Sequence, residues 1–494
     1  MVGVVDKSKA CHACRKRRVV CDFGRPHCLR CQRAGLECTG YQRRALFVNR
    51  TIANSSSSTE HVVPSISSNL EYVDEDDIAV DYRSMSRALT LSHYDMHDFR
   101  AAALRILSRL YLPRNGISER HLAVGQGHWV ETACNCSQNS SALDQSLLAL
   151  CASQLYITRR GNVTLDQALE VYSSGLSKLA TDIYHVESRN LPCLLASIVA
   201  LSTCELFICP STSGWRAHVQ GMAELLRFRL DGDYVGISIE DWESLCARAR
   251  VVSVLIGLIN ETNSNITTAQ WRKMVPNRLK DDALDELLDM ASNLPAIFET
   301  PEAFEYPISV LLGTLKHIYD WEKCLRKRLP APPYAFVPSQ LHNPSDDDFA
   351  EPLCPLSLEF STFQIASCLI VCWGVQLQTL WMILRLHKKA SESTSLDQVW
   401  DFLDQTVFKK TSPVTAIRVE AKRRAGLLCQ CVEYTHREEM GSIGPQSMVY
   451  AKGLLRRYFA EQDMSRELVW CRNIPYMTNQ RGERFTIQIL DFRA

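Results

Sequence analysis

The chain has 494 residues, well past the size at which one compact core stops growing, so a small module joined to a larger body is the expected division. Its 55 basic and 55 acidic residues cancel only over the whole length: residues 1–50 hold 12 Lys and Arg against 3 Asp and Glu, a net +9, and the remainder carries −9. A basic segment of that kind suits a polyanion, while of 20 cysteines the 14 beyond residue 38 are scattered mostly singly through apolar surroundings, which disfavours a disulfide framework and points to a reducing compartment.

No apolar stretch of signal-peptide length precedes the first cysteines, so secretion is not expected. From Cys11 to Cys38 the sequence reads CHACRKRRVVCDFGRPHCLRCQRAGLEC, six cysteines spaced C-x2-C-x6-C-x6-C-x2-C-x6-C. A C-x2-C pair lets one turn of backbone present two sulfurs to a metal, and zinc takes thiolates tetrahedrally. Cys11, Cys14, Cys21, Cys28, Cys31 and Cys38 are too few for two separate four-thiolate sites. They suffice for two Zn²⁺ ions when two of the sulfurs bridge. With few apolar residues nearby, the metal must supply the folding free energy of this module. The run Arg15, Lys16, Arg17 and Arg18 lies between the second and third cysteines, and with Lys9, Arg30 and Arg33 it makes the candidate polyanion-contacting set.

Residues 39–50 stay basic through Arg43, Arg44 and Arg50. Residues 47–94 then read as a disordered linker: a serine run from Ser55 to Ser58, Pro64, and the acidic stretch LEYVDEDDIAVDY from Leu70 to Tyr82. Acidic residues interleaved with Leu70, Tyr72, Val73, Ile78 and Tyr82 have the composition of an amphipathic activation segment or of a solubilising spacer. Residues 41–92 show no sustained heptad pattern, so no coiled coil is expected there and any dimer must form elsewhere.

Residues 95–494 read as an all-α body. FRAAALRILSRLYLPRNG places Phe99, Ala103, Ile106, Leu107, Leu110 and Tyr111 near one face, with Pro113 and Gly116 as a stop. SALDQSLLALCASQLYITRRGN and TLDQALEVYSSGLSKLATDIYH form a helical pair, the second opened by a capping box of Thr164 and Gln167. A third helix runs from about Leu194 to Cys204. GWRAHVQGMAELLRFR gives another over 214–229, with His218 as a satisfied core histidine and Gly221 available for close approach. Later helices are expected near 240–260, 283–293, 307–328, 360–388, 396–404, 413–439 and 445–460. The apolar run from Phe360 to Leu384 is interrupted by Gln364, Gln376 and Gln378, whose amides would be costly in hydrocarbon, so it reads as a buried helix and no membrane is expected.

The cysteine spacing and Pro26, in the loop between the two halves, resemble the fungal Zn2Cys6 binuclear-cluster transcription factors. The resemblance implies two short helices around the cluster, with Cys11 and Cys28 bridging, Cys14 and Cys21 terminal on one ion, and Cys31 and Cys38 on the other. It also implies a recognition helix starting at Cys14 that reads a CGG triplet in the major groove. Arg15 and Arg17 match that family's basic pattern, Arg18 stands where Lys is commonest, and Val20 replaces a second Lys. Arg18 can still donate to guanine O6 and N7, and Val20 removes a phosphate contact. CTGYQRRALFVN, LYLPRNG, GWRAHVQGMAELLRFR and CVEYTHREEMGSIGPQSMVYAKGLLRRYF are similar to the fungal-specific regulatory domain that accompanies such clusters.

These features together predict a DNA-binding module over 1–46, the linker over 47–94 and the regulatory body over 95–494. The expected protein is a nuclear, sequence-specific regulator of RNA polymerase II genes, binding double-stranded DNA at CGG half-sites. Its body would act through a small-molecule effector, a co-regulator or intramolecular masking, on a metabolic or secondary-metabolite gene cluster. Two alternatives stand against it. An enzyme with an appended zinc module lacks sequence support: no G-x-S-x-G elbow, Walker A loop or H-E-x-x-H occurs, and Gly125-Gln126-Gly127 lacks the third glycine of a dinucleotide fingerprint. A zinc-dependent protein interaction module without DNA binding would differ by lacking a steep salt dependence of duplex binding.

Overall fold

The computed structural model describes Cys14, Val19, Cys21, Asp22 and residues 28–36 of the N-terminal segment, then 75–90, 94–114, 128–136, 138–184, 191–209, 212–228, 238–262, 268–274, 282–390, 395–404, 408 and 411–479. The chain forms two units, Met1–Ser55 and Ser56–Ala494. The first holds helix α1 (Leu29–Arg33).

Two hydrophobic clusters build the second unit. The first gathers α2 (Glu75–Ala88), α3 (Met96–Leu110), α4 (His128–Asn135), α5 (Ser141–Ile157), α6 (Leu165–Ile183), α7 (Leu191–Ile208), α8 (Thr212–Phe228) and α10 (Thr268–Met274). The second gathers α11 (Ala283–Ala291), α12 (Leu294–Glu299), α13 (Pro307–Arg328), α14 (Phe363–Lys389), α15 (Pro413–Gln430), α16 (Val432–Thr435), α18 (Val449–Glu461) and α19 (Ser465–Arg472). Between them runs α9 (Ile239–Asn260), which gives Trp242, Leu245, Ala249 and Val252 to the first cluster and Val251, Val254 and Leu258 to the second. The short α17 (Ile443–Ser447) places Ile443 in the first cluster.

Each cluster is centred on a helix apolar all round, as a fully buried helix should be. By length and composition α7 and α14 could cross a membrane, yet 100% and 94% of their apolar windows are buried inside the protein, which makes them core helices. Two of the glutamines that interrupt α14 find partners there. Gln378 Nε2 donates to the Leu258 carbonyl at 2.8 Å and its Oε1 accepts from the Tyr450 hydroxyl at 2.8 Å, while Gln376 Nε2 donates to Glu322 at 3.1 Å. Glu322 also accepts from Trp373 Nε1 at 3.2 Å and pairs with Arg424 at 3.1 Å and Arg326 at 2.9 Å.

Local signals hold where the sequence is strongly patterned. Thr164 and Gln167 form the reciprocal capping box, with Thr164 N–H to Gln167 Oε1 at 2.9 Å and Gln167 N–H to Thr164 Oγ at 3.3 Å. His218 is buried with Nε2 3.0 Å from Glu205, which also accepts from Tyr172 at 3.1 Å. Two stretches far apart in sequence meet through backbone bonds: Ser442 N–H to the Leu110 carbonyl at 3.1 Å, Ile443 N–H to that of Tyr111 at 3.0 Å, and Arg114 N–H to that of Glu439 at 2.7 Å. Gly441 makes this approach, with φ +57° and a position where a Cβ would fall 2.6 Å from the Tyr111 carbonyl oxygen.

Five expectations change. The stretch read as linker contains α2, whose Ile78 and Met85 are each 1% exposed in the first cluster and whose Asp81 pairs with Arg105 at 2.6 Å. Its acidic residues obscured an apolar stripe at Ile78, Tyr82 and Met85, spaced four and three residues apart. The rest of 47–94, apart from 89–90 and Tyr94, lies outside the described residues. The body is not wholly α: β1 (Tyr334–Pro338) pairs antiparallel with β3 (Leu356–Phe360), and β2 (Leu341–His342) with β4 (Thr478–Asn479). Phe360 therefore ends a strand, and the following helix starts at Phe363 behind a Thr362 cap. Residues 413–439 break at Cys431, and 397–401 form a 3₁₀ turn. Nothing lies within 4 Å of a Cβ built on Gly221; the close approach belongs to Gly214, where a Cβ would collide with the Glu205 carboxylate.

Candidate metal centre

The second half of the cysteine segment shows why its spacing folds as it does. Cys28 is the N-cap of α1, in extended conformation, and its Sγ accepts from Cys31 N–H at 3.4 Å. Cys31 is the third residue of the helix, so one turn brings both sulfurs to the inner face. The carboxylate of Asp22 completes the cap, accepting from the N–H groups of Leu29 and Arg30 at 2.9 Å each. At the other end Gly35 N–H reaches the Gln32 carbonyl at 3.1 Å and Leu36 N–H that of Cys31 at 3.0 Å, a Schellman closure that needs the φ of +63° found at Gly35.

The first half repeats one part of this frame. Val19 N–H donates to the Cys14 carbonyl at 3.1 Å, the same five-residue closure that Leu36 makes on Cys31. The repeat follows from the sequence, where each C-x2-C pair is trailed after the same interval by another cysteine.

Cys14, Cys21, Cys28 and Cys31 are buried together, and Val19 packs against them. Leu29 and Leu36 face outward, so among the module's described residues the interior is sulfur with little hydrocarbon. Cys14 Sγ lies 3.7 Å from Cys28 Sγ and 3.8 Å from Cys31 Sγ. Two thiolates on one tetrahedral Zn²⁺, each about 2.3 Å from the metal, sit about 3.8 Å apart, so the Cys14–Cys28 separation fits a shared zinc, and both separations are far too long for a disulfide. Donor atoms of Cys14, Cys28 and Cys31 lie within 4.8 Å of one another, as do those of Cys21, Asp22 and Cys28. Cys28 is common to both groups. The described sulfurs therefore form one continuous cluster.

Residues 9–46 match the family model of the fungal Zn(2)-Cys(6) binuclear cluster domain. The match contains all six cysteines and the basic run, and it indicates a zinc-binding, DNA-binding transcription regulator of the zinc-cluster kind. No curated protein and no solved structure matches the chain.

Within this cluster domain the structure brings together four of the six expected ligands and places Arg30 and Arg33 on the exposed outer face of α1. Cys11, Cys38, Lys9, Arg15, Lys16, Arg17 and Arg18 lie outside the described residues. Asp22 was missed by sequence reasoning. Its signal was an acid directly after the third cysteine in an otherwise basic segment, seven residues ahead of the first helical residue, Leu29.

Proposed function

We propose that this chain is a nuclear transcription regulator that binds double-stranded DNA at CGG-type half-sites through a cluster of two Zn²⁺ ions. Cys11, Cys14, Cys21, Cys28, Cys31 and Cys38 would hold the ions, with Cys11 and Cys28 as the thiolates shared between them. The observation that supports this reading best is the place of Cys28, whose sulfur lies near those of Cys14, Cys21 and Cys31 at once, the neighbourhood that a shared thiolate needs. Zinc supplies the module's cohesion; the chain's own residues supply the contacts. Arg15, Lys16, Arg17 and Arg18 form the reading head, while Lys9, Arg30 and Arg33 fix register on phosphates. The protein is not read as an enzyme. Its helical body controls the module's activity through co-regulators, effectors or masking.

The test is base discrimination by the full chain. Arg18→Ala should lower preference for the guanines of the triplet by about 1–3 kcal/mol, whereas Lys9→Ala should weaken all duplexes alike. Equal affinity of the unsubstituted protein for CGG-containing and scrambled duplexes would defeat the reading.

A further inference from the structure

A cleft of about 620 Å³, its mouth included, lies where α7, α8, α9, α14, α17 and α18 converge. Its walls are mainly apolar, with Leu206, Trp215 and Val371 among them, and Thr203 and Gln446 add polar groups. One charged residue lines it: Arg248, from the middle of α9, is 5% exposed.

Other buried arginines of this body have their anions. Arg100 pairs with Asp144 at 2.7 Å, Arg424 with Glu420 at 2.7 Å and Glu322 at 3.1 Å. Arg250, two residues from Arg248 on the same helix, pairs with Asp285 at 2.7 Å and with Asp289, and lies over the Trp271 ring. Arg248 has no carboxylate partner among the described residues, and its Nε has no hydrogen-bond acceptor. Ser367, 1% exposed on the α14 wall of the same cleft, likewise has an unpartnered Oγ.

A buried guanidinium without an anion is costly, and its flat fork of donors is shaped for a carboxylate. An apolar wall around it favours a ligand whose remaining surface is hydrocarbon. We propose that this cleft is a binding site for a small monocarboxylate with a branched or aromatic body, its carboxylate on Arg248 and Ser367 and its apolar part against Trp215 and Leu206. The occupant would touch both hydrophobic clusters, since Val371 belongs to one and Leu206 and Trp215 to the other. Binding there ties the two halves of the body together and stabilises the folded state by mass action. The site is built from residues of the body alone and stands independently of the DNA-binding reading.

Thermal melting of the full chain, with and without a zinc chelator, tests this. The probes are benzoate and 3-methylbutanoate at millimolar concentration, with benzamide and inorganic phosphate as comparators. Both carboxylates should raise the melting temperature of the body's transition in a concentration-dependent way, chelated or not, and neither comparator should. Arg248→Met should abolish the rise and melt without ligand at or above the unsubstituted protein, because it removes an uncompensated buried charge; Arg248→Lys should keep a smaller rise. Should Arg248→Met fail to fold, calorimetric titration of the unsubstituted protein with benzoate against benzamide decides alone. No rise with either carboxylate, an equal rise with benzamide or phosphate, or a rise retained by Arg248→Met would overturn the proposal.

Discussion

At the scale of single residues, small placements carry large consequences. Asp22 caps α1 from outside the helix, and its loss leaves two backbone N–H groups without their acceptor. Asp22→Ala should cost about 1 kcal/mol, read as roughly five-fold weaker zinc retention against a competing chelator. His436 shows the opposite economy, a titratable group kept neutral. Burial, helped by the nearby Lys452 charge, lowers its pKa to about 3. Its Nδ1 lies 2.9 Å from the Val432 carbonyl oxygen, which can only accept, so the ring proton sits on Nδ1. The unfolded histidine takes up a proton near its ordinary value of 6.5, and the folded one does so only near 3. Stability from this residue is therefore complete above pH 6.5 and is lost as pH falls toward 3. Glu322 adds a second acid-sensitive window. Burial alone would raise its pKa, but the Arg424 charge and the donors of Arg326, Gln376 and Trp373 hold it at about 2, so its contribution fades as pH falls from 4.5 toward 2. Urea midpoints taken from pH 7 to pH 4 should drop, and His436→Asn should flatten the upper part of that fall.

At the scale of elements, α2 ties the acidic stretch to the body. Ile78 and Met85 reach into the first cluster while Asp81 pairs with Arg105. Ile78→Ala should cost about 2–4 kcal/mol in the first cluster's unfolding and open residues 75–90 to proteolysis; a cleavage rate unchanged by the substitution would show that α2 is not held by this contact. The elements legible in the sequence were those whose pattern is local. The capping box at Thr164, the apolar faces of α3 and α6, and the glutamine-interrupted α14 all follow from spacing within one segment. The elements that were missed depend on distant partners. The β1 residues pair with β3 across some twenty intervening positions, and their alternation is muted because much of the hairpin is exposed. The break at Cys431 precedes the return of the chain to Leu110 and Tyr111 at Ser442 and Ile443, a pairing that no local signal announces. In the metal centre the ligand types were legible from spacing alone, whereas the Asp22 cap and the orphaned charge of Arg248 became visible only with the fold.

At the scale of the whole molecule, the charge segregation found first retains its meaning. A basic N-terminal unit with sulfur at its centre is joined in one chain to an acidic helical unit with its own hydrophobic cores. The N-terminal unit has too little hydrocarbon to fold without metal, so zinc and nucleic-acid binding must be lost together. The direct measurement is the affinity of the full chain for a CGG-containing duplex, taken against salt concentration, with zinc, after chelation, and for Cys14→Ala. The account predicts tight, steeply salt-dependent binding with zinc, loss of it on chelation and in Cys14→Ala, and recovery when zinc is returned to the unsubstituted protein. Affinity unchanged by chelation or by Cys14→Ala would contradict it.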